Sequence, residues 1–406
     1  MKLLIGPGLY DPKGNEAHLV KSLKKVADVK TFDHTHRNFK EVIDSLPGGW
    51  RPEVILIRDA EFYKMPMSLE EADCPVFALI GDYNLTLNQM LPILGVFDYF
   101  FCDTKGVRIF NRLGFYNCDF FCLYGYDKDI HKDYGLEKDI DIVFIGNLNH
   151  QVQKKRESLL FRLAKLGRYF RIVIDTDIFG TDYAKLLNRS HLVFNYNIRD
   201  EANMRFFEAL GCNSIVINRH IDELDLLGFM PDIHYLNGDN LEESVCRYFL
   251  QWSKEKRESM KEAIEEILPF HSYDRRAEDL IDKIEKIIKD GLPKREFMDL
   301  PDTEKTERWR RYLSNEIEMQ GIGKVHVFHP KMLEWQRYMV DKELAIENLD
   351  FSMWRWWIEL LKISGLYGPL LEFLMEREMI LENFGCYKEM LRFIRDEINL
   401  LLRLGN

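Results

Sequence analysis

Short apolar runs alternate with amphipathic stretches from residue 2 to about residue 217, and few architectures accommodate that pattern. The runs Lys2–Ile5, Val29–Phe32, Val54–Ile57, Val76–Ile80, Tyr99–Cys102 and Phe120–Leu123 are nearly continuous in apolar character. Strands read this way when both faces are buried, as in a parallel sheet. Between them, Glu16–Ala27 and Asn38–Leu46 carry apolar residues at helical spacing. Strand–helix–strand rhythm of this kind predicts a parallel sheet covered by helices on both faces. The charged, turn-rich stretch Gly125–Lys138 interrupts it, and the rhythm restarts with a strand at Ile140–Ile145. A helix at Lys154–Leu166, a strand at Phe170–Ile174 and a helix at Asp182–Asn188 follow. Strand Leu192–Tyr196, helix Met204–Leu210 and strand Ser214–Ile217 complete the series. The expectation is an α/β chain with two Rossmann-like doubly wound domains, bounded at 1–130 and 139–270.

Beyond about Leu241 the pattern is helical. Asn240–Ile267 and Tyr273–Lys289 read as helices separated by Pro269, and Asp290–Asp302 reads as a linker. The tail, 303–406, reads as a helical extension rich in tryptophan, including Trp309, Trp335 and Trp354. At 406 residues the chain exceeds one ordinary core, which agrees with several domains. No apolar run reaches the roughly eighteen residues a transmembrane helix needs, and the N-terminus lacks a signal-peptide pattern. The net charge of −11 excludes a global basic field for nucleic acid. Any phosphate must therefore be held locally, by a few cations or by helix N-termini. The seven scattered cysteines read as buried small hydrophobes in a reducing, cytoplasmic compartment.

Ligands in open α/β sheets bind beyond the carboxyl ends of the strands, and that rule selects four loops. Gly6-Pro7-Gly8 follows the first strand and is either a structural turn or a close-approach loop on the acceptor side, through Gly8. Asp82, in Gly81-Asp82-Tyr83, either orients a hydroxyl or acts as a base, or simply caps the next helix. Gly146-Asn147-Leu148-Asn149 opens the second domain and suits a phosphate, with Lys154, Lys155 and Arg156 close behind as cations or as a solvated helix start. The fourth segment, Asn195–Asn218, carries polar residues such as Asn197 at a strand end. Asp200 and Glu201 follow on a loop, then a helix starting near Asn203 and Met204, with Glu208 eight residues after Asp200. Carboxylates on a loop and on the helix behind it can hold sugar hydroxyls at two points, and the helix N-terminus adds N–H groups for a phosphate. The competing reading is an amphipathic helix with surface acids.

Three stretches of this region carry a family resemblance: YAKLLNRSHLVFNYN from Tyr183, NMRFFEALGCNSIVIN from Asn203, and LLGFMPDIHYLN at Leu226–Asn237. With His271-Ser272-Tyr273 and Arg276 after them, they resemble the donor-binding domain of GT-B glycosyltransferases of the family-4-like branch, which includes the CgeB spore-maturation proteins. FDYFFCDTKGVRIFNRLGF resembles the strand and helix before that family's interdomain linker. The resemblance spans roughly residues 1–290 and implies a GT-B fold whose domains face a cleft, with a helix at 271–290 returning to the first domain.

It further implies a glycosyltransferase moving a sugar from a nucleotide-diphosphate donor, UDP-sugar foremost, to an unspecified acceptor, with retention and without a metal or other cofactor. Glu208 takes the ribose by resemblance. Asp200 stands where the family has a sugar-facing glutamate, and Glu201 beside it is the alternative. Asn203 and Arg205 match the residues near the diphosphate, and Gly146 and Asn147 match the glycine loop. Asp175-Thr176-Asp177 has the letters of a metal motif but lies where the family recognises the base. His34 and His36 with Asp33, and His326 and His329, read as structural. The aromatic stretch Phe351–Trp357 offers either a membrane or acceptor-lipid contact, or a protein contact or helical core, so the tail is a candidate for oligomerisation or partner binding. The rival to an enzyme is a non-catalytic scaffold that kept the fold. A dinucleotide oxidoreductase is disfavoured by the lack of a G-x-G-x-x-G after the first strand.

Overall fold

The structure, a computed structural model, describes residues 1–8, 15–58, 60, 63, 65–83, 90–148, 154–197, 200–314, 316–319, 323–326, 358, 370–371, 374–375, 378 and 388–404. Contacts divide the chain into one unit of Met1–Leu87 with Ile93–Lys305 and another of Asn88–Pro92 with Thr306–Asn406.

The first unit holds two parallel sheets. Strands β1 (Lys2–Gly6), β2 (Asp28–Thr31), β3 (Val54–Arg58), β4 (Val76–Leu79), β5 (Tyr99–Cys102) and β6 (Cys118–Phe120) form one, in the order β2-β1-β3-β4-β5-β6. Strands β7 (Ile140–Ile145), β8 (Ile172–Asp175), β9 (Ser190–Phe194), β10 (Ile215–Asn218) and β11 (Leu236–Asn237) form the other, in the order β11-β10-β9-β7-β8. Every pairing in both is parallel. The expected fold class, two doubly wound Rossmann-like layers, is what the chain adopts.

The central strands explain the apolar runs: all five residues of β3 are buried, as two-sided burial requires. In both sheets the second strand lies on one side of the first and the third on the other. Each sheet therefore has a topological switch point, between β1 and β3 and between β7 and β9, where ligands of doubly wound folds bind.

Helices α1 (Asn15–Val26), α2 (Phe39–Ser45) and α3 (Thr104–Arg112) belong to the first domain; α4 (Lys154–Lys165), α5 (Gly180–Asn188), α6 (Met204–Gly211), α7 (Asp222–Leu226), α8 (Leu241–Cys246) and α9 (Lys254–Ile267) belong to the second. Helix α10 (Tyr273–Asp290) follows the second domain in sequence but packs on the first. Its Ala277, Leu280 and Ile284 join Leu3, Ile5, Leu19 and Leu23 in one core. Each such fully buried leucine or isoleucine contributes about 1.5–3 kcal/mol. Ser272 caps the start of α10 by accepting from the Arg275 N–H, and Gly291 ends it at φ 101°, a backbone state that side chains resist.

Three expectations change. Asn240–Ile267 is not one helix: α8 widens at Arg247–Gln251, the chain is extended at Trp252, and Ser253 starts α9 by accepting from the Lys256 N–H. Arg247 holds the break in place through Asp232 (2.6 Å) while lying over Trp252. The stretch read as a linker is docked on the first domain through Arg295, which is buried. Its guanidinium donates to both Asp98 oxygens (2.7 and 3.2 Å) and to the carbonyls of Glu70, Ala72 and Cys74. The tail has helix α11 (Asp302–Ser314) and helix α12 (Lys388–Leu404), but also an antiparallel hairpin of β12 (Glu316–Met319) and β13 (Gly323–His326). Alternating Glu316-Ile317-Glu318-Met319 followed by Gly321 and Gly323 is a hairpin signal that the helical reading passed over. Trp335, His329 and the Phe351–Trp357 stretch lie outside the described residues. No helix among the described residues is long and apolar enough to cross a membrane.

Candidate functional site

At the β7/β9 switch point the chain gathers two arginines. Arg205, in the first turn of α6, donates through Nε to the Ile145 carbonyl (2.9 Å) and through Nη1 to Asn195 Oδ1 (3.0 Å). Asn195 is itself fixed by donating to Asn218 Oδ1 (2.8 Å), which closes the far side from β10. Arg156, on α4, donates to the Asn147 carbonyl. Both guanidiniums lie over the Phe144 ring, with centroid distances of 4.7 Å for Arg205 and 5.5 Å for Arg156. Gly146 makes room here: a Cβ would meet the end of the Arg205 guanidinium, which would have to shift.

Among the described residues no carboxylate pairs with either arginine. Burial, and then the Arg205 charge, pull Arg156 down to about 10 from its ordinary value. Two buried-edge cations bonded only to neutral acceptors are poorly compensated in a ligand-free chain. The N-terminus of α6 opens onto the same strand ends. Its N-cap Asn203 is extended and does not cap with its side chain, which donates instead to the Tyr196 carbonyl (3.2 Å). Asn203 Oδ1 and Asn197 Oδ1 are buried without a hydrogen bond, and Asn197 Nδ2 donates to the Glu201 carbonyl (2.6 Å). Gly146, Asn147, Arg156, Arg205, Asn197, Asn203 and Met204 thus occupy neighbouring strand ends and one helix start. Cations and a helix N-terminus grouped in this way are the chemistry that suits an anion. The side chains of Lys154 and Lys155 lie outside the described residues.

The acids of this segment are buried or paired. Asp200, in the left-handed region at φ 65°, is paired with Arg219 and lies 3.6 Å from Lys105 of the first domain. Glu201 is buried and lines a narrow interdomain crevice with Gly81, Asp103, Leu123, Tyr124 and Glu223. Gly81 brings the Asp82 loop to this crevice, and Asp82 itself is half-buried. Gly8 is buried at the other sheet's switch point, its N–H donating to the Phe32 carbonyl (3.3 Å).

Glu208 is 3% exposed, not open to a cleft. The Tyr183 hydroxyl of α5 donates to Oε2 (2.9 Å), and His131 Nε2 approaches Oε1 at 3.6 Å. The Asp127 N–H donates to His131 Nδ1, so the neutral ring carries its proton on Nε2, facing Glu208. Burial pulls His131 down from its ordinary value, against the pull of Glu208, and burial with the Glu208 charge pushes Tyr183 well up.

Sequence reasoning missed Thr104, Lys105, Arg219, Glu223, His131 and Tyr183. The strand-end rule, applied to β5, selects Asp103-Thr104-Lys105 directly. His131 and Glu223 had no local signal. His34 stacks on Tyr63 at 5.1 Å and His36 contacts Asp33 at 3.2 Å. The grouping with metal-ligand spacing among the described residues is elsewhere: His220, Asp222 and Asp225, all exposed.

Residues 137–282, the second domain with most of α10, match the family described as "Glycosyl transferase-like". No curated protein matches the chain. Similar solved structures include Anabaena HepE in complex with UDP (12% identity, TM-score 0.47, 70% of this chain and 100% of that one). The E. coli trehalose-6-phosphate structure bound with UDP-2-fluoro glucose has 11% identity and a TM-score of 0.48, over 70% of this chain and 99% of that one. Sucrose-phosphate synthase from Thermosynechococcus elongatus has 11% identity and a TM-score of 0.46, over 71% and 99%. Likenesses of this degree carry no weight for the chemistry.

Proposed function

We propose that this chain is a GT-B glycosyltransferase that moves a sugar from a nucleoside diphosphate donor, a UDP-sugar foremost, to an acceptor held by the first domain. The observation that carries the reading is the pair Arg156 and Arg205, two uncompensated guanidiniums at a switch point beside the N-terminus of α6. The glycosyl transferase-like match over the same domain supports it. As the anomeric C–O bond breaks, charge develops on the leaving diphosphate, and fixed guanidiniums with helix N–H groups stabilise it without reorganising. Such a site needs neither metal nor resident cofactor. The acceptor hydroxyl would lie toward Gly8 and Asp82, where Asp82 or Glu201 takes its proton. Assignment to the CgeB branch rests on the sequence motifs, and retention of configuration on analogy with the family alone. Homo-oligomer or partner contacts through 303–406, peripheral membrane contact and a cytoplasmic location are part of the same proposal, with nucleic acid excluded as a partner.

One observation favours a second reading. Glu208 is closed in by Tyr183 and His131, and Asp200 is neutralised by Arg219 and Lys105. A scaffold that binds a nucleotide diphosphate without turning it over would tolerate both. Calorimetric titration with UDP, GDP and ADP, followed by a UDP-release assay with the matching nucleotide sugars, separates the cases. Binding with turnover supports the enzyme, binding without turnover supports the scaffold, and no binding of any nucleotide refutes both.

A further inference from the structure

Helix α7 contributes a buried carboxylate, Glu223, that reaches across from the second domain to the first. Oε1 accepts from the Ala202 N–H (2.9 Å), and Oε2 accepts from the Thr104 N–H and Oγ1 (both 3.2 Å). Ala202 lies between Glu201 and Asn203, so it belongs to the loop that leads into α6. Thr104 is the first residue of α3, whose start is capped by Asp103 accepting from the Gly106 N–H (2.6 Å). One residue further on, Lys105 Nζ meets Asp200 Oδ2, at 3.6 Å. Two consecutive residues at one helix start therefore reach both ends of the short segment Asp200–Ala202, Lys105 directly and Thr104 through Glu223. Glu223 is 2% exposed, so all three donors reach it inside a closed crevice.

We infer that Glu223 is a positioning residue that couples the start of α3 in the first domain to the Asp200–Ala202 loop and the α6 N-terminus in the second. Its functional consequence rests on the donor-site reading: the α6 N-terminus is one wall of the anion site, and the Glu223 clasp sets it relative to the first domain. Charge matters to the clasp. Burial, with Asp103 and Glu201 adding, pushes Glu223 up to about 7, while the Ala202 and Thr104 N–H groups oppose the rise. The other titratable groups that interact with it are the thiols of Cys102 and Cys122. The ionised form accepts from all three donors. Because burial holds Glu223 above its ordinary value, the closed clasp binds the proton more tightly than an opened one, so by linkage the clasp is favoured as pH falls through about 7 and weakened as the carboxylate ionises above it.

The test is hydrogen–deuterium exchange on the full chain, followed at residues 200–204, for wild type, Thr104→Val and Glu223→Gln. Thr104→Val keeps the fold and the backbone N–H but removes the hydroxyl. Coupling predicts that this change in the first domain raises exchange in the second-domain loop at least threefold. It also predicts that wild type gains protection there as pH falls from 8 to 6, after correction for intrinsic rates, while Glu223→Gln is flat. Glu223→Asp should restore part of the protection. With UDP as probe, Thr104→Val should weaken binding about fivefold or more, the lower end of typical coupling between sites. Unchanged exchange at 200–204 in Thr104→Val overturns the inference. If wild type does not bind UDP, the donor reading fails, and the exchange measurement still judges the clasp.

Discussion

Replacing Arg205 with methionine tests the anion site most directly, because its two consequences have opposite sizes. In the ligand-free chain Arg205 makes two hydrogen bonds to neutral acceptors, Ile145 O and Asn195 Oδ1. Losing them costs about 1 kcal/mol each. Methionine keeps the contact with Phe144, and the repulsion from Arg205, which adds to burial in drawing Arg156 down, disappears, which offsets part of that loss. The net change in stability is about 1 kcal/mol in either direction, a Tm shift of a few degrees. With a diphosphate bound, the guanidinium's remaining N–H groups would make charge-assisted bonds worth about 1.5–3 kcal/mol each. Since about 1.4 kcal/mol is tenfold in affinity, loss of roughly 3 kcal/mol weakens UDP binding about 100-fold. Thermal unfolding and calorimetric UDP titration measure the two numbers on one sample. A fall in Tm above about 10 °C with unchanged UDP affinity would make Arg205 a structural arginine and sink the argument.

Arg295→Ala leaves Asp98 buried and unpaired along with three carbonyls, so it should cost about 3–5 kcal/mol, read as a lower urea midpoint; a change below 1 kcal/mol would mean the 293–299 segment is not docked. Burial, and then Arg276, pull His271 down to about 3. With the folded value below the ordinary 6.5, the unfolded chain binds the extra proton, so stability is full above about 6.5 and falls steadily as pH drops toward 3. His271→Gln should flatten this slope in denaturant titrations between pH 7 and pH 4, and an unaltered slope would assign it to other groups. If ribose competes with Tyr183 for Glu208, Tyr183→Phe should strengthen UDP binding a few-fold while Glu208→Ala lowers it at least tenfold. Unchanged affinity in Glu208→Ala removes the ribose assignment.

Both sheets were legible because two-sided burial writes itself into sequence as unbroken runs such as Val54-Ile55-Leu56-Ile57. The β6 strand was displaced by two residues, from Phe120–Leu123 to Cys118–Phe120, since an edge strand buries less and signals less. The break at Trp252 depends on Asp232 gripping Arg247 from fifteen residues away, which helical periodicity does not register. Arg156 and Arg205 were readable from their loop and helix start. Their shared seat on Phe144 was not, because it depends on the β7–β9 pairing. Glu223 and Thr104 are 119 residues apart and meet only when the two domains do.

The proposed anion seat belongs to a chain of net charge −11. Long-range steering is absent, so the site relies on exclusion and pairing at close range. Among the described residues, Arg219 and Lys105 neutralise Asp200. One strand over, Arg156 and Arg205 have only carbonyl and amide oxygens among the described residues. Had the chain needed these arginines for stability alone, any of its 67 acidic residues could have been placed beside them, since a buried pair costs less than a buried lone charge. Leaving both without a carboxylate among the described residues, beside a glycine that makes room for one of them, is a stability cost that an incoming diphosphate would remove. Ligand binding should therefore stabilise the fold by more than mass action on a neutral pocket would suggest, and UDP should raise the Tm of wild type while leaving that of Arg205→Met nearly unchanged.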